Sequence, residues 1–365
     1  MRLSPSSGTG AFHLEPAHGT ISLMKILGIE TSCDETAAAV VEDGRKVLSN
    51  VIASQIDIHA QYGGVVPEVA ARSHIEVILP VINEALATAS CTWDDIDGIA
   101  VTAGPGLLGS LLIGTLTART IATIQNKPLY AVNHVVAHTF ANMLIDHPPQ
   151  FPMLSLSASG KHSELLLFQS PLDYRLLGST RDDAAGEAFD KVARMIGLPY
   201  PGGPQISRLA PLGNEKAYML PKARLGDSLD FSFSGLKTAV LRVLQTEVGG
   251  DFRTHSSELP GRLTDTQKAD MAASFQRTVC ETLTGQLLRA YNQYHPKSVV
   301  IAGGVSANTR LRQEVSKQIP LTVHYAPIEL CTDNGAMIAA MGYHLAVAGR
   351  TTSPAELKTD PSLTV

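Results

Sequence analysis

Cysteine is sparse and scattered. The 365 residues hold four, Cys33, Cys91, Cys280 and Cys331, with no C-x-x-C pair among them. That spacing excludes a zinc ribbon and a disulfide framework, and it suits a reducing compartment. Charge is also low, at 17% of residues against a usual share of about 25%. The balance is −5, from 29 Lys+Arg and 34 Asp+Glu, so bulk positive charge does not hold this protein to nucleic acid. A nucleic-acid partner requires a local basic patch instead. No uninterrupted membrane-length apolar run survives inspection. Gly98 to Ala118 carries no charge and is long enough to flag a spanning helix. Gly104, Pro105 and Gly106 break it, because Pro lacks a backbone donor and Gly favours a turn. Residues 1–23 lack the apolar stretch of a signal peptide, and Arg2 is their only basic residue, which argues against secretory and mitochondrial targeting. They read as a disordered tail, unless translation starts at Met24. The expectation is a soluble, cytoplasmic protein with no membrane span.

What is abundant is apolar material. Hydrophobic residues make up 44%, enough for two domains with large cores and too much for wholesale disorder. Residues 25–30 (KILGIE) and 37–42 (AAAVVE) read as a β-hairpin with Thr31, Ser32, Cys33, Asp34, Glu35 and Thr36 at its tip. Residues 65–89 read as a helix. From Ile96 to Ile124 the pattern is strand, Gly-rich turn, helix, and 128–133 is a strand running into a helix that starts near His134. The scheme then recurs. Residues 153–158 and 164–169 form a second hairpin with its tip at 159–163, and 298–302, 303–306 and 307–318 read as strand, turn and helix. The second half carries an extra stretch, about 185–262, whose Gly and Pro suggest surface loops and short helices. Residues 264–295 repeat apolar residues at three and four, an amphipathic helix. Such alternation favours α/β layers with mixed sheets. Two sheets facing across a cleft can aim several tips at one ligand, where backbone N–H groups meet phosphate. For any single turn, the glycines more often serve only the turn itself; three or four such turns placed symmetrically in two halves favour the ligand.

Several constellations carry potential chemistry. His134-Val135-Val136-Ala137-His138 places two imidazoles at i and i+4, on one helix face, where they can share a metal. The ordinary alternative is two buried rings with satisfied hydrogen bonds. A carboxylate must complete such a site, and Asp333 is a candidate, although N-cap duty is the commonest job in its setting. Asp34 and Glu35 are adjacent acids at a hairpin tip, suited to orienting a nucleophile or accepting a proton, or else a solvated turn. Ser157-Ala158-Ser159-Gly160-Lys161-His162 is a Gly/Ser turn with a cation that suits phosphate, or an ordinary hairpin turn. Gly303 to Asn308 opens a helix in the manner of a nucleotide-binding turn. Asp182, Asp183, Glu187, Asp190, Lys191 and Arg194 form a mixed charge cluster, which also reads as a solvated helix face.

Together these stretches resemble one family, the tRNA N6-adenosine threonylcarbamoyltransferases, formerly called the glycoprotease family. The matching motifs are GIETSCDETAAAVV (28–41), QYGGVVPEVAARSH (61–74), TAGPGLLGSLLIG (102–114) and NHVVAH (133–138). They continue with SASGKHSELL (157–166), DDAAGEAFDKVARMIGLPYPGGP (182–204) and FSFSGLKTAV (231–240), and end with IAGGVSANTRLR (301–312) and CTDNGAMIA (331–339). The resemblance implies a duplicated actin-like ATPase fold, with two lobes around a central cleft. The lobes are then expected at 24–130 plus 331–350, and at 131–330 including the insert, with 351–365 as a C-terminal tail.

The resemblance further implies transfer of a threonylcarbamoyl group from threonylcarbamoyl-adenylate (threonylcarbamoyl-AMP) to N6 of adenosine 37 in ANN-decoding tRNAs. It implies that His134, His138 and Asp333 hold one divalent metal, Fe2+ in most assignments and Zn2+ in others. Ser157, Ala158, Ser159, Gly160, Lys161, Asp190, Gly203 and Asn308 would contact the adenylate, and Asp34 and Glu35 would sit at the reacting centre. The implied partners are tRNA, a paralogous dimerising (TsaB-like) subunit, a P-loop (TsaE-like) ATPase and a separate enzyme that makes the adenylate. Two positions depart from the family's usual spelling. Val135-Val136-Ala137 replaces an insert that in bacterial members contains Glu, which removes the base a metallopeptidase needs. Lys161 stands at a usual Gly, where its Cβ restricts backbone approach or its ammonium adds a phosphate contact. The competing readings are a small-molecule kinase of the same fold, a scaffold paralogue and a metalloendopeptidase. The first two do not call for the His134/His138/Asp333 set.

Overall fold

The computed structural model describes residues 23–365; the expected tail at 1–23 lies, apart from Leu23, outside the described residues. Two five-stranded sheets form the frame. The first is built from β1 (Lys25–Glu30), β2 (Glu35–Glu42), β3 (Lys46–Ser54), β4 (Gly98–Gly104) and β5 (Leu129–Asn133). The second holds β6 (Met153–Ala158), β7 (Ser163–Ser170), β8 (Asp173–Ser179), β9 (Ser298–Ala302) and β10 (Val323–Tyr325). Their orders are β3-β2-β1-β4-β5 and β8-β7-β6-β9-β10. In each, three antiparallel strands are followed by two parallel ones. This is one topology used twice, the duplicated actin-like architecture that the resemblance implies.

The helices repeat as well. A short α1 (Ile56–Ala60) and α2 (Pro67–Thr88) follow β3, α3 (Leu108–Ile124) links β4 to β5, and α4 (His134–Phe140) follows β5. In the second lobe, α5 (Ala185–Met195), α6 (Gly202–Leu209), α7 (Ser234–Glu247) and α8 (Asp265–Tyr294) follow β8. Then α9 (Thr309–Gln318) links β9 to β10, and α10 (Gly335–Val347) closes the pattern. β1 and β4 are buried nearly throughout, as strands covered on both faces must be. Leu27, Ile29, Ala38 and Val40 meet Ile78, Val81, Ile82 and Ala85 of α2 on one side. Ile26, Ala39, Val41 and Ala100 meet Ala336, Ala339 and Ala340 of α10 on the other.

That inner face needs small residues. A Cβ on Gly28 would strike the Gly335 carbonyl and Ala339, and one on Gly342 would strike Ala100. So α10 can lie close on the first sheet, which fixes the position of the residues just before it. On the second sheet, Leu166, Phe168, Val300 and Ala302 share that same core with Val136, Ala137 and Phe140 of α4. The helices α4 and α10 therefore fill the space between the two sheets.

Two expectations change. The stretch 185–262 holds the short helices expected of it, α5, α6 and α7, but it is not superficial: Phe189, Val192, Ile196, Ile206, Phe231, Phe233, Val240 and Leu244 are buried in the core of the second lobe. Residues 351–365, expected as a tail, lie against the first lobe. Thr352 bridges Leu129, Asp360 N donates to the Ala103 carbonyl at 2.9 Å, and Leu357 is 6% exposed. Among the described residues, no helix is long and apolar enough to cross a membrane. The Gly98–Ala118 run is instead β4, a turn and the first part of α3.

Candidate active site

Asn133 ends β5 and caps α4: its Oδ1 accepts from Val135 N at 3.0 Å and Val136 N at 3.2 Å. The next residue is His134, and one turn later comes His138, both buried. From the other side, the helix start of α10 delivers Asp333. Its expected alternative role, the N-cap, is taken by Asn334, whose Oδ1 accepts from Met337 N at 2.9 Å. Asp333 is thus left to face the imidazoles. Its Oδ1 lies 3.3 Å from His138 Nε2 and 3.6 Å from His134 Nε2. Ligand atoms of the three residues lie within 4.8 Å of one another.

The donor set fits a divalent cation. Both ring nitrogens of His138 are buried with no hydrogen-bond partner among the described residues, which is costly unless something else meets them. Nδ1 of His134 is turned away, 3.0 Å from Glu30 Oε2 and 3.2 Å from Ser32 Oγ, which aims Nε2 at the site. A carboxylate behind a metal-binding imidazole fixes its tautomer and raises its basicity. Glu30 is wholly buried and is itself held by Thr102 Oγ1 at 2.5 Å and by the Ser32 backbone N–H. Burial alone would push His134 down, but Glu30 and Asp333 outweigh it and lift it to about 9. Burial would likewise raise Asp333, yet the two histidines hold it well below the carboxylate range.

His134 and Asp333 line a cleft cavity of about 1010 Å³ to which both lobes contribute, and His138 lies behind them against Asp333. Asp34 and Glu35 from the β1–β2 tip form one wall. Asp34 is 7% exposed, so this tip is no solvated turn. Burial, then the charges of Asp333 and Asp34, push the Glu35 carboxyl well above its ordinary range and favour its protonated form. Ser159, Gly160 and Lys161 from the β6–β7 tip form the facing wall, with Asp190, Gly203 and Asn308 beside them. Ser159 N donates to the His162 carbonyl at 2.8 Å and closes that turn. A Cβ at Gly160 or Gly203 would meet nothing within 4 Å; internal packing does not demand these glycines, and both face the open cavity.

Four expected contacts look different in place. Ser157 and Ala158 are fully buried at the end of β6, behind the cavity wall. Asn308 caps α9 through Leu311 N at 3.1 Å, while its Nδ2 donates to Ser207 Oγ at 3.0 Å and Gln276 Oε1 at 2.9 Å. Its polar atoms are thus committed to tying α6, α8 and α9 together. Asp190 Oδ1 accepts from Gly202 N at 2.7 Å and so holds the start of α6. Tyr200 and Thr332, which sequence reasoning passed over, also line the cavity, as do His162 and Arg194, which it named only within a turn and a charge cluster. Burial, then the neighbouring His134 and His138, lower His162 to about 3, so it presents a neutral ring. Glu30 was missed too, since its partners are 72 and 104 residues away.

Residues 46–340 match the family model of tRNA N6-adenosine threonylcarbamoyltransferase, TsaD. The enzyme of that name from Symbiobacterium thermophilum is 52% identical over 327 residues, covering 89% of this chain and 92% of that protein. The one from Thermomicrobium roseum is 50% identical over 341 residues, covering 89% and 93%. Among solved structures, HypF of T. kodakarensis is similar in fold, with a TM-score of 0.58 at 14% identity over 92% of this chain and 49% of its own. Component A of the (R)-2-hydroxyglutaryl-CoA dehydratase of Acidaminococcus fermentans has a TM-score of 0.50 at 14% identity, over 89% and 99%. By its sequence, over most of its length, this chain belongs to the tRNA N6-adenosine threonylcarbamoyltransferase family.

Proposed function

We propose that this chain transfers a threonylcarbamoyl group from threonylcarbamoyl-adenylate to N6 of adenosine 37 in ANN-decoding tRNAs and releases AMP. The observation that carries the reading is the convergence of His134, His138 and Asp333, from helices of opposite lobes, beside two acids and a cationic turn in one cleft. His134 through Nε2, His138 and Asp333 would hold one divalent cation, Fe2+ or alternatively Zn2+. When bound, it supplies Lewis acidity toward the donor's phosphate and carbonyl.

The chain's own residues do the rest. Ser159, Gly160 and Lys161 grip the adenylate phosphate, and Asp190 suits ribose hydroxyls. Asp34 orients the exocyclic amine and takes its proton as the new C–N bond forms and the C–O bond to phosphate breaks. Glu35, kept protonated, donates a hydrogen bond to the developing charge. The anticodon-loop base is single-stranded and can be splayed into the cavity.

The kinase alternative has no use for the three-ligand set. The endopeptidase alternative lacks a base: Glu30 stands behind His134, on the Nδ1 side.

The tRNA surface is shared with partners in this reading. Several basic residues of the second lobe are neutralised internally: Lys191 by Asp183 at 2.8 Å and Glu187 at 2.7 Å, Lys237 by Asp183 at 2.8 Å, and Lys222 by Glu281 at 2.7 Å. A paralogous TsaB-like subunit would dock on the first lobe, where Ile75 and Leu79 of α2 and Leu108, Leu112 and Leu116 of α3 are exposed at helical spacing. A paralogue with the same fold carries the same helix pair and can meet it isologously. A TsaE-like P-loop ATPase completes the proposed assembly, in the cytoplasm.

The test is transfer in vitro, from threonylcarbamoyl-adenylate to an ANN-decoding tRNA, with and without those partners. Modified adenosine and AMP in equal amounts are expected. Failure with all partners present, or ATP-dependent phosphorylation of a small acceptor instead, overturns the reading.

A further inference from the structure

The Asp34–Glu35 pair lies where the β1–β2 tip runs into β2, and one buried imidazole brackets it. His74 of α2 is wholly buried, on a helix face otherwise made of Ile78, Val81, Ile82 and Ala85. Its Nε2 lies 2.9 Å from the Cys33 carbonyl and its Nδ1 lies 2.7 Å from Thr36 Oγ1. A carbonyl only accepts, so Nε2 carries the proton and Thr36 Oγ1 donates to the bare Nδ1. The ring thus joins the residue just before Asp34 to the residue just after Glu35. Burial holds His74 below its usual pKa, which keeps this neutral tautomer.

A second donor reaches the same carbonyl from α3. Ser110 Oγ, also buried, lies 3.1 Å from the Cys33 oxygen. Leu107 N, just before that helix, donates to the Ser32 carbonyl at 2.8 Å. An unpaired buried carbonyl is costly, so two donors on one oxygen leave the tip a single favoured conformation.

We propose that His74 and Ser110 are positioning residues that hold Asp34 and Glu35 in their productive geometry. The inference rests on the transfer reading for its catalytic consequence, but not for its structural one. Neither residue touches the cavity, so both act through the Cys33 carbonyl. Loss of either should therefore slow the chemical step and leave substrate and metal binding alone.

The experiment uses the full chain with its partners, in wild-type, His74→Leu, His74→Asn, His74→Gln and Ser110→Ala forms. It measures kcat and KM for transfer, metal content, and amide hydrogen exchange at residues 31–36. His74→Leu is expected to lower kcat by about 10- to 100-fold, with KM and metal content unchanged and exchange at 31–36 accelerated. Gln places an amide donor where Nε2 stood and should restore most of the rate. Asn cannot reach Cys33 and should not. Ser110→Ala should lower kcat several-fold in the same pattern. A folded His74→Leu protein with wild-type kcat and unchanged exchange overturns the proposal. Should that variant not fold, unchanged kcat and exchange in Ser110→Ala overturn it. A wild-type protein without transfer activity defeats the transfer reading instead, and exchange at 31–36 then still decides whether His74 and Ser110 order the tip.

Discussion

At the end of β1 the first lobe presents Cys33, Asp34 and Glu35, two acids on a tip braced from α2 and α3. At the equivalent end of β6 the second lobe presents Ser159, Gly160, Lys161 and His162, a cation and a neutral ring on an open turn. The strand order beneath the two tips is the same. The difference teaches how a duplicated scaffold divides labour. One tip is acidic and hydrogen-bonded from two helices, and in the proposed reaction it meets the amine and its proton. The other is small and cationic, suited to phosphate. Only the final helices act together: α4 supplies two imidazoles, and the turn before α10 supplies the carboxylate that meets them.

The largest expected effect removes the acid tip's chemistry while leaving the phosphate tip alone. Asp34→Asn should lower kcat for transfer by about 100- to 1,000-fold, with the protein folded and adenylate KM unchanged in steady-state assays. Next, Glu30→Gln removes the carboxylate behind His134. Metal affinity should fall by about 10- to 100-fold in competition titrations with a chelator, although Glu30 reaches the cation only through His134.

A pH experiment tests the pairing of His134 with Glu30 and Asp333. With His134 at about 9 in the metal-free protein, its stabilising charge pairing is fully present below about pH 6.5 and fades as pH climbs through about 9. Cation binding must displace that proton. Affinity should therefore weaken by roughly tenfold per pH unit below 9, and calorimetry in buffers of different ionisation enthalpy should detect proton release at pH 7.

The smallest effect concerns the second lobe alone. Glu164 on β7 has a buried Oε2 with no partner among the described residues, and burial raises its carboxyl to about 7. Its raised pKa means that stability is lost as pH rises from the unfolded value through 7. Glu164→Gln should recover about 1–3 kcal/mol above pH 7 and nothing near pH 4, as denaturant melts at the two pH values will show.

The hairpins, the strand–turn–helix units and α8 were legible because their apolar periods are strong and their tips polar. Other parts resisted reading for physical reasons. β3 (KVLSNVIAS) and β8 are only half buried and lack an apolar run. The region 185–262 hides core residues such as Phe189 and Phe231 between Gly- and Pro-rich turns. The metal candidates could be named from i,i+4 spacing and from resemblance. That Asp333 is free to serve, because Asn334 takes the cap, required coordinates. Glu30, His74 and Ser110 left no local signal at all. Each is one polar residue whose meaning lies in partners far along the chain.

The most direct test of the account is metal stoichiometry measured beside transfer activity, in wild type and in Asp333→Ala. The account predicts one divalent cation per wild-type chain, and joint loss of cation and activity, by at least about 100-fold, when the turn before α10 no longer supplies its carboxylate. An Asp333→Ala protein that keeps its cation, or that transfers at the wild-type rate without one, contradicts it.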